Sequence, residues 1–165
     1  MDGTESWEGG CACGGIRYRL QRAPMIVHGC HCRWCQRETG SALAINALVE
    51  CDALVLLNGR PALATIPSAS GKGQTLARCP DCGVILWSHY AGLGRLLAFL
   101  RVGTLDAPDV FPPEVHIYTA SKQPWLSLPE DRPAFAEYYR RSAVWPAASI
   151  ARYDALKALR AAPPE

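Results

Sequence analysis

Ile16, Tyr18 and Leu20 alternate with Arg17, Arg19 and Gln21, a period of two that predicts a strand with one buried and one solvent face. Short apolar runs recur at Leu43 to Val49, Leu54 to Leu57, Val84 to Tyr90, Leu96 to Val102 and Val115 to Thr119. Turn-forming clusters such as Asn58-Gly59-Arg60-Pro61 and Ser70-Gly71-Lys72-Gly73 separate them. Many short strands with frequent turns predict a mainly β fold of antiparallel strands. Pro112, Pro113, Pro124, Pro129 and Pro133 punctuate the later chain, and Ala134 to Arg141 after them is expected to form a short helix. Beyond Pro146, Ile150, Tyr153, Leu156 and Leu159 recur every three residues among alanines, which predicts an amphipathic C-terminal helix. Such a helix has either the domain or a second subunit, as in a homodimer, to pack on. The expected organisation is one domain over residues 1–145 and an Ala-rich helical tail over 146–165.

Composition narrows the class. A chain of 165 residues fits one domain with one core, and 49% hydrophobic with 19% charged residues is a globular balance. No uncharged apolar run approaches the roughly 18 residues needed to span a bilayer, so no membrane role is expected. The opening residues Met1-Asp2-Gly3-Thr4-Glu5 are acidic and lack the basic and apolar regions of a secretory signal, which points to the cytoplasm. In that reducing compartment clustered cysteines serve metals or catalysis more often than disulfides.

Seven of the eight cysteines fall in three groups: Cys11-x-Cys13, Cys30-x-Cys32-x-x-Cys35 and Cys79-x-x-Cys82. Zinc takes four thiolates in a tetrahedron, and a C-x-x-C turn sets two sulfurs on one side of a tight loop. Cys79-Pro80-Asp81-Cys82-Gly83 has that form, with Gly83 free to take a positive φ and Pro80 stiffening a point that needs no amide donor. Cys11-Ala12-Cys13-Gly14-Gly15, on a turn before the first predicted strand, is the natural other half of a four-thiolate site. The competing readings of these pairs are buried thiols or a redox couple.

The middle group offers three sulfurs within six residues, enough to hold a metal and to leave a fourth position for water or substrate. His31 lies between Cys30 and Cys32 and is expected to point away if both bind one ion. His28, His89 and His116 read as ordinary strand or surface histidines, and Cys51 as a small buried hydrophobe. Iron-sulfur clusters use similar cysteines but want four thiolates each, and a thioredoxin-like role for Cys32-x-x-Cys35 lacks its βαβ context. Seven thiolates and two divalent zinc ions turn the formal charge of +2 into about −1, so charge gives no support for nucleic acid as a partner.

The chain resembles the glutathione-dependent formaldehyde-activating enzyme family, which includes the domain of centromere protein V. The resemblance runs from Gly10-Cys11-Ala12-Cys13-Gly14 and Tyr18 through Cys30-His31-Cys32-Arg33-Trp34-Cys35-Gln36-Arg37-Glu38-Thr39-Gly40-Ser41 to Cys79-Pro80-Asp81-Cys82-Gly83 and Leu86. It continues through Gly103-Thr104-Leu105-Asp106, His116-Ile117, Ser121-Lys122 and Trp125. It implies a small β-rich zinc-binding fold of the β-tent kind, with a structural zinc on Cys11, Cys13, Cys79 and Cys82 and a catalytic zinc on Cys30, Cys32 and Cys35. It also implies a carbon-sulfur lyase-type reaction joining a small thiol such as glutathione to a small aldehyde. Arg33, Gln36, Arg37 and Lys122, in or near the matched segments, are the expected anchors for the thiol substrate, and Trp34 is expected to shield the metal or stack on a ligand. Two other readings remain beside the enzyme: a non-catalytic thiol-binding or interaction module with structural zinc, and a redox or zinc-storage protein.

Overall fold

The computed structural model describes residues 5–161. The acidic residues 1–4, read above as carrying no secretory signal, lie outside the described residues. Among the described residues ten strands form two sheets. β1 (Trp7–Gly10), β2 (Arg17–Leu20) and β5 (Leu54–Asn58) make a three-stranded sheet in the order β1-β2-β5. The seven-stranded sheet contains β3 (Ile26–Cys30), β4 (Ala44–Glu50), β6 (Ala62–Ile66), β7 (Gln74–Arg78), β8 (Ile85–Tyr90), β9 (Leu97–Arg101) and β10 (Val115–Ile117), in the order β10-β3-β4-β9-β8-β7-β6. Every pairing is antiparallel except β10 with β3. The described residues also contain two α-helices, α1 (Arg33–Thr39) and α2 (Ala147–Ala161). The mainly β expectation holds.

The central strands of the large sheet are buried on both faces. One cluster gathers Tyr18 and Leu20 of the small sheet with Val27, Val49, Leu86 and Leu100 of the large one. The other gathers Ile26, Leu48, Leu97 and Val115 with Trp145 and Leu156. Double burial removes the polar alternation from the central strands, so all five residues of β3 are buried and β4 reads as a nearly continuous apolar run.

The stretch expected as a helix at Ala134 to Arg141 is instead extended and lies along β10. His116 N donates to Pro133 O (2.8 Å), Phe135 N to His116 O (2.9 Å) and Tyr118 N to Glu137 O (3.0 Å). β10 is the edge of its sheet, and an open edge offers a row of unpaired backbone groups. Satisfying these while placing Phe135 and Tyr139 against the second core cluster outweighs the modest helix propensity of the segment.

α2 packs on this same chain. Leu156 is buried, Ile150 and Tyr153 are half-buried, and Leu159, expected on the apolar face, is exposed. Arg152 holds the helix with a two-pronged bond to Glu50 of β4 (2.7 and 2.6 Å) and a bond to the Ala23 carbonyl (2.9 Å). Burial alone would raise the Glu50 carboxyl, but the hydrogen bonds from Arg152 and the backbone outweigh it and hold it below its ordinary value of 4.5. A lowered folded-state pKa stabilises above the unfolded value and is lost as pH falls through the folded one. Arg152→Ala leaves this carboxylate without its main partner and is expected to cost about 2–4 kcal/mol at pH 7. The difference from wild type shrinks on acidification below pH 4.5, which urea unfolding at several pH values checks.

Candidate metal centres and the adjoining cavity

Two turns bring four sulfurs together. Cys11 and Cys13 follow β1, Cys79 and Cys82 join β7 to β8, and all four sulfurs lie within 4.8 Å of one another. Cys13 Sγ is 3.5 Å from Cys11 Sγ and 3.7 Å from Cys79 Sγ. Cys11 Sγ accepts from Ile16 N at 3.2 Å, and Gly83 takes φ +75° as the turn requires. Backbone amides of Val84 and Cys13 favour the Cys82 thiolate and bring its pKa down to about 6. The Gly15 amide favours the Cys13 thiolate too, but interactions with the three neighbouring sulfurs outweigh it and push Cys13 up to about 12. Four thiols this close cannot all ionise without a cation among them, and a soft divalent ion satisfies this donor set.

The second group sits where β3 runs into α1. Cys30 ends the strand, Cys32 caps α1 by accepting from Cys35 N (3.3 Å), and Cys35 lies in the first turn. Their sulfurs also lie within 4.8 Å of one another, with Cys30 and Cys35 buried and Cys32 half-buried. Hydrogen bonds from Cys30 and Cys35 bring Cys32 down to about 2, while contact with Cys32 pushes Cys30 up to about 12. Sulfurs this close couple one another's ionisation, and together they are again a donor set that a metal ion fits.

Histidine does not complete this group. His31 is fully buried, points away from the sulfurs and meets His116, Nε2 to Nδ1, at 2.9 Å. A Cβ on Gly29 would lie 2.6 Å from His116 Nδ1, so only glycine lets β3 pass this close. His28 bonds Tyr139 Oη at 2.5 Å, and His89 Nδ1 meets the Leu97 carbonyl at 2.9 Å. Cys51 is half-buried beside the first core cluster and belongs to neither sulfur group.

The residues expected to anchor a substrate are spread around α1. Gln36 is buried and donates to the His31 and Ser121 carbonyls (2.7 and 2.9 Å), which ties the cysteine loop to the segment after β10. Arg33 donates to Gln36 Oε1 at 2.9 Å, and Arg33 and Arg37 are both exposed, one turn apart. The Lys122 ammonium donates to the Gln123 and Leu126 carbonyls (3.0 and 2.5 Å). None of the four lines the cavity that opens on Cys30, Cys32 and Cys35.

That cavity, of about 510 Å³, is walled by Trp34, Tyr90, Phe99, Tyr118 and Tyr138. Among these only Trp34 was singled out by the sequence; the other four come from separate elements and carry no spacing signal. Beneath α1, Glu38 pairs with Arg101 of β9, with both side chains under 10% exposed. Arg101 also bonds Asn46 of β4, and Gln74 Nε2 of β7 donates to Glu38 Oε2 at 2.8 Å.

Fold and site define a mainly β protein with two sulfur clusters able to hold metal ions, one built from four cysteines and one from three beside a cavity. The chain belongs to the glutathione-dependent formaldehyde-activating enzyme family, whose model matches residues 6–121. A crystal structure of a Rhodobacter sphaeroides protein is similar at 17% identity, with 64% of this chain and 96% of that one covered and a TM-score of 0.46. No curated protein sequence matches the chain. Among the described residues no helix is long and apolar enough to cross a membrane.

Proposed function

We propose that the protein is a zinc-dependent carbon-sulfur lyase-type enzyme that forms or breaks an adduct between glutathione, or a similar thiol, and an aldehyde. The observation that carries this reading is the convergence of Cys30, Cys32 and Cys35 on the wall of a cavity, with no fourth protein ligand among the described residues. Cys11, Cys13, Cys79 and Cys82 would hold a structural zinc, and Cys30, Cys32 and Cys35 a catalytic one. Zinc at the second site supplies a positive centre that keeps a substrate thiol ionised at neutral pH.

The remaining contributions come from the chain. Arg33 and Arg37 are available on the exposed face of α1 for the carboxylates of a thiol such as glutathione, while Gln36 and Lys122 keep the surrounding loops in place. The aromatic walls set largely apolar surface beside the three cysteines. Tyr118, on the wall of the same cavity as the three cysteines, brings a phenol donor for the oxygen that gains charge as the C=O bond opens. The C–S bond forms as the carbonyl π bond breaks, and the proton lost by the thiol is balanced by the one gained by the hydroxyl. Reduced thiolate ligands suit the cytoplasm.

Elemental analysis and exchange NMR with glutathione and labelled formaldehyde test the reading. Wild type is expected to carry about two zinc ions and Cys32→Ser/Cys35→Ser about one, with the fold kept. Loss of a charge-stabilising metal worth several kcal/mol lowers the catalysed rate at least ~100-fold. Two zinc ions in wild type without acceleration of adduct exchange would leave a thiol-binding module.

A further inference from the structure

We propose that the cavity beside Cys30, Cys32 and Cys35 selects a carbonyl substrate bearing an uncharged aromatic ring, and that Tyr138 is the residue that sets this selectivity. This inference builds on the adduct-forming reading above and concerns the partner that the thiol attacks.

Three observations converge on it. The first is the wall itself. Trp34 comes from α1, Tyr90 from β8, Phe99 from β9, Tyr118 from the end of β10 and Tyr138 from the extended segment beyond it. Two pairs of these rings already meet: Tyr90 and Phe99 edge to face at 4.7 Å, and Tyr118 and Tyr138 tilted at 6.3 Å. Five aromatic side chains from five elements form a surface suited to a flat apolar group. A cavity of about 510 Å³ has the size of sites that hold ligands of many atoms, far more than formaldehyde has.

The second observation is charge. No lysine or arginine among the described residues lines the cavity, and Arg101, close behind Asn46, is neutralised by Glu38. An ionised carboxylate placed against these aromatic walls would lose its hydration without finding a lysine or arginine. The charged body of glutathione is therefore better served outside, where Arg33 and Arg37 are exposed, and the chamber is left to the electrophile.

The third is construction. Tyr118 is the one non-glycine residue with positive φ among the described residues, at +56°. Such a conformation persists only where its surroundings impose it. Tyr118 N bonds the Glu137 carbonyl and its own carbonyl accepts from Ser121 N (3.2 Å), so the segment carrying Tyr138 holds Tyr118 in place. That segment lies beyond residues 6–121, the part of the chain shared with the family model. Tyr138 is thus a wall residue outside the matched part, while Trp34, Tyr90, Phe99 and Tyr118 lie within it.

The reaction step remains a simple addition. The thiol sulfur forms a bond to the aryl aldehyde carbon, the C=O π pair moves to oxygen, and the oxygen takes up one proton for the one the thiol released. No oxidant or reductant is needed.

The test uses the zinc-loaded full-length protein and an unreactive probe, 2-naphthylmethanol, with binding followed by isothermal titration calorimetry. The probe is expected to bind wild type and Tyr138→Phe within about twofold of each other, and Tyr138→Ala about tenfold more weakly, as loss of one stacking partner predicts. Phe99→Leu, which removes a ring from a different element, weakens binding by a similar factor and serves should Tyr138→Ala misfold. With glutathione present, acceleration over the uncatalysed rate is expected to be larger for 2-naphthaldehyde than for formaldehyde. Absence of probe binding, or equal affinity in wild type and both ring-deleted variants, overturns the inference. Tyr138-dependent binding with no aldehyde accelerated keeps the aromatic pocket and rejects the adduct-forming reaction. Acceleration of formaldehyde alone, with no probe binding, does the reverse.

Discussion

A Cys79→Ser variant is expected to melt at least about 15 °C below wild type and to lose one equivalent of zinc while keeping the other. Cys79 is 1% exposed and Cys11 8%, and their sulfur group joins the turn after β1 to the turn between β7 and β8. That link ties the three-stranded sheet to the seven-stranded one across 66 residues of sequence. Metal binding at a structural site is folding free energy, on the order of 10–16 kcal/mol for four-ligand zinc sites. Removal of one ligand that forfeits about 5 kcal/mol of this lowers the melting temperature by roughly 3 °C per kcal/mol for a chain of this size. Cys51→Ser is the matched control. Cys51 lies outside both clusters, so its replacement is expected to cost about 1 kcal/mol and leave the metal content unchanged. Calorimetry and elemental analysis on the two variants separate a metal tether from the general loss of a thiol, and a Cys79→Ser protein that melts within 3 °C of wild type with unchanged zinc would refute the tether.

The four-cysteine turns were legible because their constraints are local. C-x-x-C spacing and the glycines at 14 and 83 specify the turns whatever surrounds them, and both glycines take positive φ. Strands β2, β4, β5, β8 and β9 begin and end within one residue or so of the apolar runs that announce them. β3 escaped because burial on both faces leaves no alternation and its centre is His28-Gly29. α1 escaped because only Trp34 and Cys35 are apolar among its seven residues, so it has no helical period, and its cap is a cysteine in place of the usual Ser, Thr, Asp or Asn. Ala134 to Arg141 shows the opposite failure, a local helical preference overruled by backbone partners on the edge of β10. The sulfurs of the three-cysteine group fall within six consecutive positions, whereas the aromatic wall beside them is assembled from positions 34 to 138. Sequence spacing therefore reveals the ligands of such a site well before it reveals what the site accepts.

The Glu38–Arg101 pair extends that lesson to stability, because neither residue announces its partner 63 positions away. Both side chains are under 10% exposed, and the pair is set between Asn46 of β4 and Gln74 of β7. It connects the C-terminal end of α1 to three strands of the large sheet, so it fixes the short helix on which Cys35 and Trp34 ride. A helix of seven residues has little stability of its own and depends on such tertiary attachments. Arg101→Met removes the cation and leaves Glu38 buried with only the Gln74 amide as a partner, which is expected to cost about 3–5 kcal/mol. Glu38→Gln/Arg101→Met removes both charges, and most of that loss is expected to be recovered because the penalty comes from a stranded charge rather than from the pair's own attraction. Denaturant unfolding of the single and double variants measures the coupling directly. The two variants should separate further at the metal site: Arg101→Met releases zinc from the three-cysteine group faster than wild type, while the double variant, with α1 seated again on a neutral network, retains it. If both variants unfold like wild type and hold their zinc equally well, α1 is positioned by Gln36 and its carbonyl partners alone.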